Sequence, residues 1–187
     1  MSQNESLTPK LISGKVIPLG LAALLLVADF FTKLWVMAEI PLGTLHSTWL
    51  GGFLNIIHVR NTGAAFSFGH DFPDFIRVIT MILIPLGVLV AVLVYFLIDK
   101  KMSLSTRYAI ALILSGGLGN QIDRIFYGEG VVDFIQVKMY GFLGMEFFPT
   151  FNVADSCITI GGALLILTFL FEGRKKKPVP QDKKAGQ

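Results

Sequence analysis

Four stretches of about 20 mostly apolar residues run through this chain, approximately Val16–Met37, Ile76–Ile98, Tyr108–Tyr127 and Val153–Phe171. At 1.5 Å of rise per residue, a helix of that length matches a hydrocarbon core about 30 Å thick. No water reaches a bare backbone inside a bilayer, so segments that cross it have to close their own hydrogen bonds as helices. The expected fold is therefore a membrane all-α core of four transmembrane helices, a single integral membrane domain over residues 1–187. The composition agrees, since only 16% of the residues are charged against about 25% in soluble domains. The second stretch has no ionisable residue between Arg77 and Asp99, and Pro85 with Gly87 inside it is expected to kink it rather than end it.

Four crossings put both ends on one side of the membrane, and the basic residues say which. Of 16 Lys and Arg, 11 lie in the two tails or in the short loop that carries Lys100, Lys101 and Arg107. The loops 38–75 and 128–152 hold only Arg60 and Lys138. Positive charge is retained on the cytoplasmic side, so tails 1–15 and 173–187 are read as cytoplasmic and both long loops as external. The same distribution accounts for the net charge of +3 without a nucleic-acid partner. Lys10 and Lys15 ahead of an apolar run look like the start of a signal peptide. No small-x-small cleavage site follows, and Asp29 and Lys33 continue the helix, so this is read as a retained span. In the outer loops, Phe53–Val59 and Val131–Val137 are rich in β-branched and aromatic residues. They predict a small β-rich extracytoplasmic surface element.

Ionisable groups are costly in a bilayer, roughly 2.5–3.5 kcal/mol each at its centre on insertion scales, so each needs a reason. Here they gather toward the outer ends of the spans. Asp29 and Lys33 are four apart on the first helix; Gly116, Asn120, Asp123 and Tyr127 form one stripe on the third, with Arg124 beside it. The first pair reads as an intrahelical ion pair or as part of a site. The stripe reads as helix-to-helix hydrogen bonding or as a site. Asn152 and Asp155 read equally well as a helix cap with an acid in the first turn. Asp133, in an apolar strand-like run where Asp is disfavoured, calls for a polar neighbour.

The chemistry available is narrow. The histidines at 46, 58 and 70 lack zinc-binding spacing, so no metal and no cofactor is expected. Cys157 lies in an apolar helix without a neighbouring His, and GGLGN at 116–120 falls within a span, where it suits helix packing. Paired carboxylates remain. Two held close cannot both ionise, so one keeps a proton to polarise a carbonyl while the other takes a proton from water. A small proton- or ion-coupled transporter is the rival reading, but the cytoplasmic half of every span is nearly all apolar.

Five motifs, in this order and topology, resemble the bacterial lipoprotein signal peptidase (signal peptidase II) family over nearly the whole chain. They are Asp29-x-x-Thr32-Lys33, Asn61-Thr62-Gly63-Ala64-Ala65-Phe66-Ser67, Gly119-Asn120-x-x-Asp123-Arg124, Val131-Val132-Asp133-Phe134 and Phe151-Asn152-x-Ala154-Asp155. The resemblance implies an aspartyl endopeptidase of the bacterial cytoplasmic (inner) membrane with Asp133 and Asp155 as its catalytic pair. It implies that Asn61, Gly63, Asn120, Arg124 and Asn152 position substrate or dyad and that Asp29, Lys33 and Asp123 brace the site. The implied substrates are diacylglyceryl-modified prolipoproteins, cut just before the lipidated Cys. Membrane lipid and inhibition by cyclic peptides of the globomycin type belong to the same expectation, as does a monomer. One residue more than the family's usual spacing stands near Gly128-Glu129-Gly130, an extension cheap in a Gly-rich turn.

Overall fold

The computed structural model describes residues 7–62, 73–128 and 130–175. Among these residues five α-helices and three strands follow one another along the chain. Helix α1 (Leu7–Glu39) leads to strands β1 (Leu45–Trp49) and β2 (Leu54–Asn61). A continuous rod follows, made of α2 (Asp74–Val78), a π-helical turn (Ile79–Leu83) and α3 (Ile84–Ile98). Then come α4 (Leu104–Phe126), strand β3 (Val131–Val137) and α5 (Val153–Lys175).

Among the described residues, three stretches are long and apolar enough to cross a membrane: Gly14–Glu39, Asp74–Ile98 and Val153–Phe171. The remaining expected span falls on α4, which has the length at 23 residues but buries Ser115, Asn120, Gln121 and Asp123. It packs against α1, α3 and α5. A helix enclosed on several sides presents polar groups to its neighbours rather than to lipid, which is why its sequence is less apolar than theirs. Leu89 and Phe96 of α3 meet Ile110 and Leu114 of α4 in one buried cluster.

The close packing depends on glycine. A Cβ at Gly116 would collide with the Ala154 carbonyl oxygen, and one at Gly119 would sit 2.6 Å from Asp29 Oδ2. The GGLGN run thus lets α4 approach α1 and α5 until backbone meets side chain.

Pro85 does not produce a simple kink. A proline lacks the N–H that would bond the carbonyl four residues back, here Met81. The rod widens into the π turn just before it, and the freed Met81 carbonyl accepts a hydrogen bond from Gln121 Nε2 of α4 at 2.9 Å. The strain is absorbed by a bulge and satisfied from the neighbouring helix.

The sheet is antiparallel in the order β1-β2-β3. Its register sets Asn61 opposite Val131, Val59 opposite Asp133 and Leu54 opposite Val137. Expected strand segments coincide with β2, shifted by a residue or two, and with β3; β1 was not anticipated. Its sequence, LHSTW, leaves four of five residues exposed, so no apolar alternation marks it. The sheet is seated on the end of α1 through Val36, Ile40, Val132 and Phe134, all buried. It lies at the end of the bundle where α1 and α4 finish and α2 and α5 begin.

Candidate active site

The FNxAD segment reaches the sheet by backbone pairing. Phe151 N–H donates to the Ile135 carbonyl at 2.9 Å, and Ile135 N–H donates to the Phe151 carbonyl at 2.8 Å. This reciprocal bridge sets the start of α5 alongside β3, so residues distant in sequence converge at the sheet end. Gly130 makes the same convergence possible on the other side: a Cβ there would lie 2.5 Å from the Asn61 carbonyl oxygen, and its φ is +93°. Only glycine accepts both conditions without strain.

Asn152 and Asp155 cap α5 reciprocally. Asp155 N–H donates to Asn152 Oδ1 at 2.8 Å, and Asn152 N–H donates to Asp155 Oδ2 at 3.2 Å. This is a capping box, so the cap reading of Asp155 holds. The other oxygen of that carboxylate, Oδ1, accepts from Asn120 Nδ2 at 2.7 Å. Cap and site share one side chain.

Asp133 is held by two amides: Asn152 Nδ2 donates to Oδ1 at 2.8 Å and Asn61 Nδ2 to Oδ2 at 3.2 Å. Asn152, wholly buried, also lies 3.1 Å from Asn120 Oδ1 and 3.2 Å from the Val132 carbonyl. Its two amide hydrogens are therefore shared among three acceptors. The carboxylates of Asp133 and Asp155 are thereby joined through Asn152 and Asn120. Burial, with the neighbouring Asp155 charge adding to it, pushes the Asp133 carboxyl up from its ordinary 3.8 to about 7. Asn61, Lys33 and Asn152 restrain that rise.

Behind this layer sits a buried ionic cluster. Lys33 Nζ is 2.8 Å from Asp29 Oδ2, 3.0 Å from Asp123 Oδ2 and 3.2 Å from Asn120 Oδ1, so each of its three hydrogens has an acceptor. Asp29 Oδ1 accepts from Ala154 N–H at 2.8 Å, and Asp123 Oδ2 from Val132 N–H at 3.0 Å. The cluster thus ties α1 and α4 to the backbone beside Asp155 and Asp133. It also fixes the Asn120 amide: with Oδ1 facing the ammonium, Nδ2 has to face Asp155.

Asn61, Asn120, Arg124, Asp133 and Asp155 open onto one cavity of ≈ 760 Å³. Arg124 lies within electrostatic reach of Asp155, Asp133 and Asp123. From these polar groups the cavity runs down between α3 and α4 past Met81, Ile84, Pro85, Val88, Leu89 and Ile113. Phe148, Pro149, Thr150 and Phe151 line it near the sheet. Of the site residues expected from sequence, Gly63 lies outside the described residues; Asp29, Lys33, Asp123 and Asn152 stand behind the cavity wall, and the rest line it. Sequence reasoning overlooked Gln121, Gly130 and the Phe151 bridge. Gln121 sits next to Asn120 and four residues from Gly117, a spacing that could have placed it on the cavity face.

Helices of membrane-crossing length around a cavity lined by two aspartates suit an integral membrane hydrolase of the aspartic kind. A sequence profile for "Signal peptidase (SPase) II" matches residues 21–171. A lipoprotein signal peptidase from Treponema pallidum (strain Nichols) is 39% identical over 173 residues, covering 92% of each chain. One from Borrelia hermsii (strain HS1 / DAH) is 42% identical, covering 81% of this chain and 88% of its own. A solved structure described as "Bacterial membrane enzyme structure by the in meso method at 2.3 A resolution" superposes with a TM-score of 0.73. It is 31% identical and covers 94% of this chain and 96% of its own. The chain belongs to the signal peptidase II family.

Proposed function

We propose that Asp133 and Asp155 are the catalytic pair of a peptidase that cuts diacylglyceryl-modified prolipoproteins just before the lipid-bearing Cys. The observation that carries this reading is the joining of both carboxylates, at one cavity, through Asn152 and Asn120. A carboxyl pushed up to about 7 keeps its proton below neutral pH, which suits Asp133 to polarise the scissile carbonyl. The Asp155 carboxylate takes a proton from water, and the water oxygen attacks the carbonyl carbon while Asp133 protonates its oxygen. On collapse, the diol returns a proton to Asp133 and Asp155 gives its proton to the departing Cys nitrogen. The products are a signal peptide ending in a carboxyl group and a lipoprotein with a free α-amino Cys. No metal or cofactor takes part.

Asn61, Gly63, Asn120, Arg124 and Asn152 position substrate or dyad; Asp29, Lys33 and Asp123 brace them. Four spans, α4 among them, cross the inner membrane as one domain, with both tails cytoplasmic and the sheet on the outer surface. The apolar depth of the cavity suits a lipidated, apolar substrate segment, and a globomycin-type cyclic peptide would compete for it. The enzyme acts as a monomer embedded in membrane lipid.

The test is cleavage of a synthetic diacylglyceryl-Cys peptide against its unlipidated twin. Wild type cleaves the first alone. Asp133→Asn and Asp155→Asn each lose about 10²–10⁴ in kcat or more while still accumulating in the membrane. Asp74→Asn, which breaks only an exposed ion pair with Arg77, leaves cleavage unchanged. Near-normal turnover by either dyad variant would remove the assignment.

A further inference from the structure

A buried cation at the opposite end of the bundle has no use in this chemistry. Arg107, in the first turn of α4, is only 6% exposed. At 1.5 Å per residue it lies about 20 Å along the helix from Asn120. Among the described residues its Nε is buried without a hydrogen-bond partner, and no carboxylate lies within ion-pair distance of it. Asp99 acts on it electrostatically but is occupied elsewhere. Its Oδ1 accepts from Lys101 N–H and Met102 N–H, both at 2.7 Å, and Tyr95 hydrogen-bonds to the same carboxylate. Buried charges in proteins are nearly always paired, because an unpaired one is strongly destabilising. This one has the Asp99 charge nearby but no direct partner among the described residues, which leaves a place for an anion from outside the chain.

The surroundings say what kind. Gly14 of α1 makes room for the guanidinium, since a Cβ there would collide with Arg107 Nη1. The N-terminus of α4 adds the positive end of its dipole. Only one of its free N–H groups, that of Thr106, is taken by the Ser103 cap. Lys15 stands at the same end, bonded to the Leu97 carbonyl, and Lys100 and Lys101 flank the loop. Around this basic spot Val16, Ile17, Leu97, Ile98 and Leu104 are all at least half exposed, a rim that only acyl chains cover in a helix that crosses a membrane.

We propose that Arg107, with Gly14 and the start of α4, forms a binding site for the phosphoryl headgroup of an anionic phospholipid. The guanidinium fork matches two phosphate oxygens, and the exposed apolar rim takes the chains. The site lies on the proposed cytoplasmic side, away from the dyad, and does not depend on it.

Thermal unfolding of the purified full chain in detergent tests this. Dioleoylphosphatidylglycerol should raise the wild-type Tm saturably. Dioleoylglycerol, which has the same chains without phosphate, and inorganic phosphate should not. Dioleoylglycerol also resembles the lipid of the substrate, so it separates this site from the catalytic cavity. Arg107→Met, which keeps an apolar stem of similar length, should weaken the apparent affinity roughly tenfold or more. Arg107→Lys, which keeps the charge and loses the fork, should fall between. An unchanged phosphatidylglycerol response in Arg107→Met overturns the proposal. So does an equal response to dioleoylglycerol, and an equal response to inorganic phosphate overturns the lipid assignment. Should Arg107→Met not accumulate, a lysine variant as responsive as wild type overturns it equally.

Discussion

At Asp133, burial and a neighbouring carboxylate act in the same direction, and both favour the protonated form. The consequence is a pH dependence with a definite sign. Below about pH 7 Asp133 carries its proton; above it the proton is lost. If that proton polarises the carbonyl, kcat/KM falls on the alkaline side of about 7, approaching tenfold per pH unit. Replacing Asp155 by Asn removes the second cause of the upward shift, so Asp133 should titrate lower in that variant. The carboxyl stretch followed by infrared difference spectroscopy over pH 4–9 measures both titrations. A wild-type profile flat through pH 9, or an Asp133 titration unmoved in Asp155→Asn, would contradict the assignment of the proton. The same residues explain why sequence alone left Asp155 undecided. A first-turn acid after Asn152 is a cap whether or not it is catalytic, and the geometry shows one oxygen capping and the other facing Asn120. Nothing in a single sequence separates two roles of one carboxylate.

Among the helices and strands, legibility followed periodicity. Long apolar runs announce helices because bilayer and backbone leave no other choice, and β3 was marked by its β-branched residues. Strand β1 carries no such pattern because little of it is buried, and the π turn was invisible because a proline in a span is compatible with either a kink or a bulge. What chose the bulge is Gln121, on another helix. The glycines of α4 were legible as packing residues, and their consequence is testable. Gly116→Ala would drive a Cβ into the Ala154 carbonyl and to 2.8 Å from Ile158 Cγ1. Backbone cannot rotate away as a side-chain end can, so the first turn of α5, which carries Asp155, has to move. Overpacking of this kind costs about 1–3 kcal/mol, and displacement of one dyad carboxylate should lower kcat at least tenfold for a shift near 1 Å. Gly162→Ala, with nothing within 4 Å of the added carbon, is the matched control. Equal melting temperatures and equal rates for the two variants would show that α4 and α5 have room to spare.

Over the whole molecule, charge is sorted more sharply than hydrophobicity. At the sheet end three ionisable groups of the helices are enclosed and paired: Asp29, Lys33 and Asp123 are each no more than 2% exposed. The opposite end gathers Lys15, Lys100, Lys101 and Arg107. The polar cluster has little say in orientation, since its one Lys is held by two carboxylates and acidic residues contribute little, whereas basic residues beside short loops do set orientation. The sorting therefore predicts one topology, with the sheet outside and both tails inside. It also requires α4 to cross, because an even number of crossings is the only way to keep tails 1–15 and 173–187 together. The single cysteine, Cys157, is buried, so Cys157→Ala gives a background for scanning. A cysteine introduced at Ser2, Ser103 or Lys184 should react with a membrane-impermeant maleimide only after the membrane is opened. One at Thr48 or Leu143 should react in intact cells. Labelling of Ser103 from outside, with both tails protected, would mean that α2–α3 and α4 do not span, and the positive-inside argument would fail for this chain. Labelling of one tail alone would mean that α4 stops within the membrane, leaving three crossings.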